Sequence, residues 1–219
     1  MIEHVYRRVA EARSLHGVIV ATDDDRIRLA IEAFGGAVRM TSASHESGTD
    51  RVAEVAATLS CDLVVNVQGD EPLIEPAMIE EAIAPFTTDA GLLMSTLRRR
   101  IENEAQAASP HVTKVVVDAD GYALYFSRAP IPFVRDPAAG TPLFRHIGLY
   151  VYRRGFLLEL ASQSPTPLER VEALEQLRAL ERGVRIKTIE TRYDSIGVDT
   201  PEDLERVRQR LPARPLTSA

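Results

Sequence analysis

Three short apolar runs constrain this chain most. "GVIVAT" (Gly17–Thr22), "AVRM" (Ala37–Met40) and "LVVNV" (Leu63–Val67) are each too short for a buried helix, and each is followed by a segment with helical apolar spacing. "DDDRIRLAIEAFGG" carries acids in its first turn and glycine at its end, "SHESGTDRVAEVAATLS" leads from a loop into a helix, and Glu75–Pro85 begins another. Ahead of them, Ile2, Val5, Tyr6, Val9 and Ala10 recur at helical spacing to about Ser14–Gly17. Alternation of this kind specifies an α/β protein with a mostly parallel sheet covered by helices on both faces.

The pattern changes after "GLLMSTLRR". "VTKVVVDADGYALYFSR" reads as two β-rich runs around the turn Asp118-Ala119-Asp120-Gly121, and "FRHIGLYVYRR" as another strand beyond a Pro- and Gly-rich loop. Residues from about 109 to 155 are therefore expected to form an antiparallel insertion or extension of the sheet. "SPTPLERVEALEQLRALERG" reads as a helix of several turns stopped by Gly183, "VRIKTIE" as a strand and "DTPEDLERVRQRL" as the last helix. A single domain over residues 1–219 accounts for this order.

The net charge of −6 supplies no field for a phosphate backbone, which argues against nucleic acid as a partner. No apolar run approaches the roughly 20 residues of a membrane span, and "MIEHVYRRVAEARS" lacks the apolar centre of a signal peptide. The lone Cys61 adjoins an apolar run and reads as a buried free thiol, suited to a reducing compartment. A cytoplasmic protein is expected.

Ligands of open α/β sheets collect beyond the carboxyl ends of strands. Three loops meet that rule: "SHESGTDR", "VQGDEP" and "GVDTPEDL". Ser47 or Thr49 can serve simply as a helix cap, Gly69 and Asp70 as a turn, and Thr200-Pro201 as a helix start. Asp70 and Asp199 nevertheless form a pair of carboxylates at strand ends, which suits Mg²⁺, a cation that takes one or two protein carboxylates and completes its shell with water and phosphate. The chain has no GxxxxGK[ST] loop, no GxSxG elbow and no zinc-type His and Cys spacing. Phosphoryl-type chemistry with a metal is favoured over hydrolysis by a nucleophile.

Seven stretches in order, "VIVATDD", "SGTDR", "VNVQGDEPLI", "KVVVDADGYALYFSRAPIP", "FRHIGLYVYRRGFL", "SPTPLERVEALEQLRALERG" and "GVDTPEDLERVR", closely resemble the 3-deoxy-manno-octulosonate cytidylyltransferases, also called CMP-Kdo synthetases. The resemblance implies a Rossmann-like nucleotide-diphospho-sugar transferase fold and transfer of CMP from CTP to the acid sugar Kdo, with Mg²⁺ as cofactor and pyrophosphate released, for lipopolysaccharide synthesis. It implies Ser47, Gly48 and Arg51 at the cytosine, Gln68 near the base or sugar, and Asp70 and Asp199 on the metal. Arg128, His146, Tyr150, Glu175 and Gln176 would line the Kdo pocket, and a homodimer would form through the antiparallel segment. A CMP-sialate-type transferase, a related metal-dependent glycosyltransferase and a non-catalytic sugar-binding module are the competing readings. The family also begins with a strand and a P-A-R-x-x-S-x-R-x-P-G-K-P-L loop, whereas Met1–Ala12 resembles the helix after it. The resemblance thus implies a chain shortened by that strand and loop, through a mis-set start or a cut, or else a catalytically impaired relative. Unpaired edges on the neighbouring strands are the physical expectation.

Overall fold

The computed structural model describes residues 1–45, 47–136, 138, 140, 142–198 and 200–211. Helix α1 (Ile2–Val9) precedes β1 (Val20–Thr22), α2 (Asp25–Glu32), β2 (Val38–Met40), α3 (Gly48–Ala57), β3 (Leu63–Asn66) and α4 (Pro76–Ile83). Next come β4 (Met94–Arg100), α5 (Glu104–Ala108), β5 (Lys114–Val117), β6 (Ala123–Ser127) and β7 (Phe144–Arg153). The chain ends with α6 (Arg154–Ala161), α7 (Pro167–Glu172), α8 (Gln176–Glu181), β8 (Ile186–Glu190) and α9 (Pro201–Arg210). Local chemistry sets several of these boundaries. The Asp24 carboxylate accepts the Arg26 amide at the start of α2, and Ser47 Oγ accepts the Asp50 amide at the start of α3.

The α/β class holds, but the mostly parallel sheet does not. Among the described strands only β1–β2 and β4–β8 pair in parallel. Strand β7 runs antiparallel to β3, β4 and β5, and β5 runs antiparallel to β6. The reason is the length of β7, which spans ten residues. One edge pairs with β4 from Phe144 to Tyr152; the other is shared, with β5 at Phe144–Arg145 and β3 at Tyr150–Arg153. A strand expected in a peripheral insertion is therefore the middle of the sheet. Strands β1 and β2 form a separate two-stranded sheet, and the strand partner of β3 is β7.

Side chains alternate across β7 and sort two cores. Tyr150 and Tyr152 join Met94, Phe126, Leu157 and Leu177 beneath α3, α6 and α8. Ile147, Leu149 and Val151 join Val5, Val9, Met78 and Ile79 beneath α1 and α4. The pairing slips between Thr96, opposite Tyr150, and Leu97, opposite Ile147. Thr96 Oγ1 sits in that bulge, 3.1 Å from the Ile147 carbonyl and 2.7 Å from that of Leu149. Bulges re-aim side chains, and this one lies beside the candidate site.

Two further expectations need correction. Cys61 is exposed, because it belongs to the turn ahead of β3 and not to the strand. The segment expected as one helix from Ser164 to Gly183 is split at Ala173, whose φ of 50° is left-handed. Tertiary bonds impose that turn: the Arg128 guanidinium donates to the Glu172 carbonyl at 2.8 Å and the Ala173 carbonyl at 3.3 Å.

The two halves of the split helix are tied internally by one buried ion pair. Arg178 Nη2 lies 2.6 Å from Glu169 Oε1, with both side chains more than nine-tenths buried. Removing one partner strands a charge in the core, at a cost of about 3–5 kcal/mol. Glu169→Leu is expected to lose stability on that scale in denaturant unfolding, and Glu169→Leu with Arg178→Met to recover most of it. Near-native stability of the single variant would contradict a buried, mutually dependent pair.

Candidate active site

Three loops converge where the sheet meets α3 and α8. Gly48 and Thr49 open α3, and their amides donate to the Glu175 carboxylate at 3.2 and 3.1 Å; the Thr49 hydroxyl donates to it as well. An anion at a helix N-terminus satisfies orphan N–H groups and opposes the helix dipole favourably. A Cβ on Gly48 would lie 3.7 Å from the Gln68 amide, so the loop after β3 passes directly beside this terminus. Arg51 ties in the loops after β1 and β2, donating to Asp23 at 3.1 Å and to Thr41 Oγ1 at 2.6 Å. Ser47 acts as the helix cap.

Asp70 and the third loop are also joined. The Val198 amide donates to the Asp70 carbonyl at 2.9 Å, and Ser195 Oγ donates to Glu71. Asp199 lies outside the described residues. Its neighbour Val198 is thus anchored on Asp70 by the backbone.

Across the sheet face stand His146 and Tyr150. Four residues along a regular strand span about 13 Å, yet the two rings have centroids 5.3 Å apart, drawn together by the bulge. Burial and the neighbouring Arg145 charge hold the His146 imidazole down at about 3, so it is neutral at ordinary pH. Its Nε2 is 2.9 Å from Thr96 Oγ1. The single hydroxyl proton of Thr96 is spent on a carbonyl of the bulge, so Nε2 carries the imidazole proton and Nδ1 keeps a lone pair. Tyr150 donates to Gln176 Oε1 at 3.0 Å, and burial pushes its phenol well above the usual range, keeping it a donor.

Arg128 differs from the rest. Besides the two carbonyls at the Ala173 turn it donates to the Pro110 carbonyl at 3.2 Å, and its own amide donates to the Glu172 carboxylate at 2.9 Å. It shapes the turn that leads to Glu175 and Gln176. Lys114, 1% exposed, supports the same corner by donating to the carbonyls of Ser109, Val112 and Arg128.

The structure brings Gly48, Gln68 and Glu175 together, joins His146, Tyr150 and Gln176, and links Asp70 to the segment before Asp199. Reading the sequence took Thr49 only as a possible helix cap and passed over Thr96 and Asn66, the latter the register partner of Tyr150 across β3 and β7. Thr49 lies inside "SGTDR" and Asn66 inside "VNVQGDEPLI", so the signal for both was a polar residue within a motif; Thr96 carried none, since its role depends on the bulge.

The chain is a nucleotidyltransferase: a family model described as cytidylyltransferase matches residues 1–187, and strand-end loops gathered around a helix N-terminus are consistent with it. Curated relatives named 3-deoxy-manno-octulosonate cytidylyltransferase include one from Geobacter sulfurreducens, 57% identical over 96% of this chain and 88% of the relative, and one from Solibacter usitatus, 55% identical over 97% and 84%. A solved structure of CMP:2-keto-3-deoxy-manno-octonic acid synthetase complexed with CTP superposes with a TM-score of 0.89 at 42% identity, covering 96% of this chain and 88% of the other. A putative glucose-1-phosphate thymidylyltransferase from Bacillus anthracis, 14% identical with a TM-score of 0.65 over 100% of this chain and 84% of its own, shares the fold. The chain belongs to the family of 3-deoxy-manno-octulosonate cytidylyltransferases.

The neutral imidazole gives a pH signature. Unfolded His146 takes a proton below about 6.5 and the folded one only near 3, so the unfolded state binds more protons between these values. Stability is expected to fall as pH drops through that window, by at most about 1.4 kcal/mol per pH unit. His146→Gln is expected to flatten this slope in denaturant unfolding followed from pH 7 to 3. Identical slopes in the two proteins would show that His146 is freely protonated when folded.

Proposed function

We propose that the protein transfers CMP from CTP to the anomeric hydroxyl of Kdo, releasing pyrophosphate and supplying an activated sugar for lipopolysaccharide synthesis in the cytoplasm. The observation that carries this reading is the Glu175 carboxylate bound to the first amides of α3. It fastens the loop assigned to the nucleotide onto the helix assigned to the sugar. The sugar oxygen attacks the α-phosphorus, the bond to the pyrophosphate oxygen breaks, and the hydroxyl proton leaves to solvent. Ser47, Gly48, Arg51 and Gln68 hold the nucleotide end. His146 Nδ1 accepts from a sugar hydroxyl, while Tyr150, Gln176, Glu175 and Arg128 define the rest of the pocket.

Asp70 and Asp199 would hold Mg²⁺. Among the described residues no three His, Cys, Asp or Glu side chains gather as a metal cage, and a pair of carboxylates completed by water and phosphate fits that donor set. The bond between Val198 and Asp70 supports the pairing. When bound, the ion would withdraw charge from the α-phosphate and steady the leaving pyrophosphate. The other features follow the same family: one domain across the chain, and a homodimer through about 109–155, where Leu124, Phe133 and Val134 are exposed. No described helix is long and apolar enough to cross a membrane.

Pyrophosphate release in the presence of Kdo and Mg²⁺ is expected to prefer CTP over UTP. Asp70→Asn is expected to lower it by about 100-fold or more while circular dichroism stays unchanged. Preference for UTP would overturn the base assignment, and full turnover in Asp70→Asn would show a turn residue where a ligand is proposed.

A further inference from the structure

Two buried amide groups near Tyr150 have donors with nothing to bond. Asn66 is 4% exposed and Gln176 3%, and among the described residues neither Asn66 Nδ2 nor Gln176 Nε2 has a hydrogen-bond partner. They sit at the two ends of one side chain. Asn66 is the register partner of Tyr150 across β3 and β7, and the Tyr150 hydroxyl reaches Gln176 Oε1. Because Gln176 uses its oxygen for that bond, its nitrogen is left as a donor. A buried donor without a partner costs about 1–3 kcal/mol, and natural chains retain few of them. Two such donors flanking one tyrosine, on the face that also carries His146, describe a place prepared for an acceptor-rich guest.

We infer that Asn66 is a sugar-recognition residue: with Gln176 it donates to carboxylate or hydroxyl oxygens of the acid sugar. This rests on the assignment of Kdo to the Tyr150 face. Asn66 closes β3, two residues before Gln68 and four before Asp70, so it stands where the strand passes from the sugar face to the nucleotide loop. On the proposed assignment the nucleotide's phosphates meet the loop beyond it, which leaves the sugar as the ligand whose oxygens can reach a side chain opposite Tyr150.

The test replaces Asn66 with Leu, of similar size and without polar atoms. Kdo is titrated calorimetrically into the protein loaded with Mg²⁺ and α,β-methylene-CTP, which cannot transfer CMP. The variant is expected to bind Kdo about ten-fold or more weakly, to bind the nucleotide analogue within about two-fold of wild type, and to melt no lower, since it loses a donor that had no partner. Equal Kdo affinity in the two proteins would overturn the role of Asn66 while leaving the sugar assignment intact. A lower melting temperature with both affinities falling together would mark Asn66 as structural and overturn it too. Failure of the wild type to bind Kdo would overturn the sugar assignment, and this inference with it.

Discussion

The pairing of β7 is the constraint on which the rest depends. A single ten-residue strand is shared by β4 on one edge and by β5 and β3 on the other, so its register decides which side chains face which helix layer. Because that register slips at Thr96, His146 and Tyr150 come within ring contact on one face. The same hydroxyl that fills the slip dictates the imidazole tautomer. Position and tautomer of the histidine thus descend from one irregularity in one strand pair, while burial and the Arg145 charge keep it neutral.

Buried polar groups do the remaining positioning. Arg128 could grip a carboxylate, but its donors already hold the carbonyls of Pro110, Glu172 and Ala173. Its effect is exerted through the left-handed turn at Ala173, which breaks a helix and presents Glu175 to α3 and Gln176 to Tyr150. Arg178 and Glu169 stabilise the same corner from beneath, and Arg178 also reaches Asp50 in the first turn of α3 at 3.4 Å. The proposed sugar side and nucleotide side are consequently linked by hydrogen bonds as well as by the sheet.

How much of this was legible follows from the range of each interaction. The alternation of apolar runs and helical patterns in the first 85 residues is local, and it yields β1, α2, β2, α3, β3 and α4 in order. The hairpin at Asp118–Gly121 was equally readable, with Gly121 at a φ of 78°. The central place of β7 was not, since pairing with β3, β4 and β5 joins residues far apart in sequence. The break at Ala173 was hidden because "PLERVEALEQLRALERG" keeps a helical period, and the bonds that bend it come from Arg128. Cys61 was misread from its apolar neighbours, which belong to the strand that starts two residues later. Within the candidate site, motif residues such as Gly48, Gln68, Tyr150 and Gln176 could be named from the sequence, whereas the contacts of Thr96 and the Asn66 amide without a partner among the described residues existed only in three dimensions.

The central claim is that the Tyr150 face takes the sugar and the first turn of α3 takes the nucleotide, with Glu175 between them. A crystal structure of the protein with α,β-methylene-CTP, Mg²⁺ and Kdo measures this directly. The account requires Kdo oxygens within hydrogen-bond distance of His146 and Gln176, and the cytosine beside Gly48 and Arg51. Kdo bound away from β7, or the cytosine away from the first turn of α3, would contradict it.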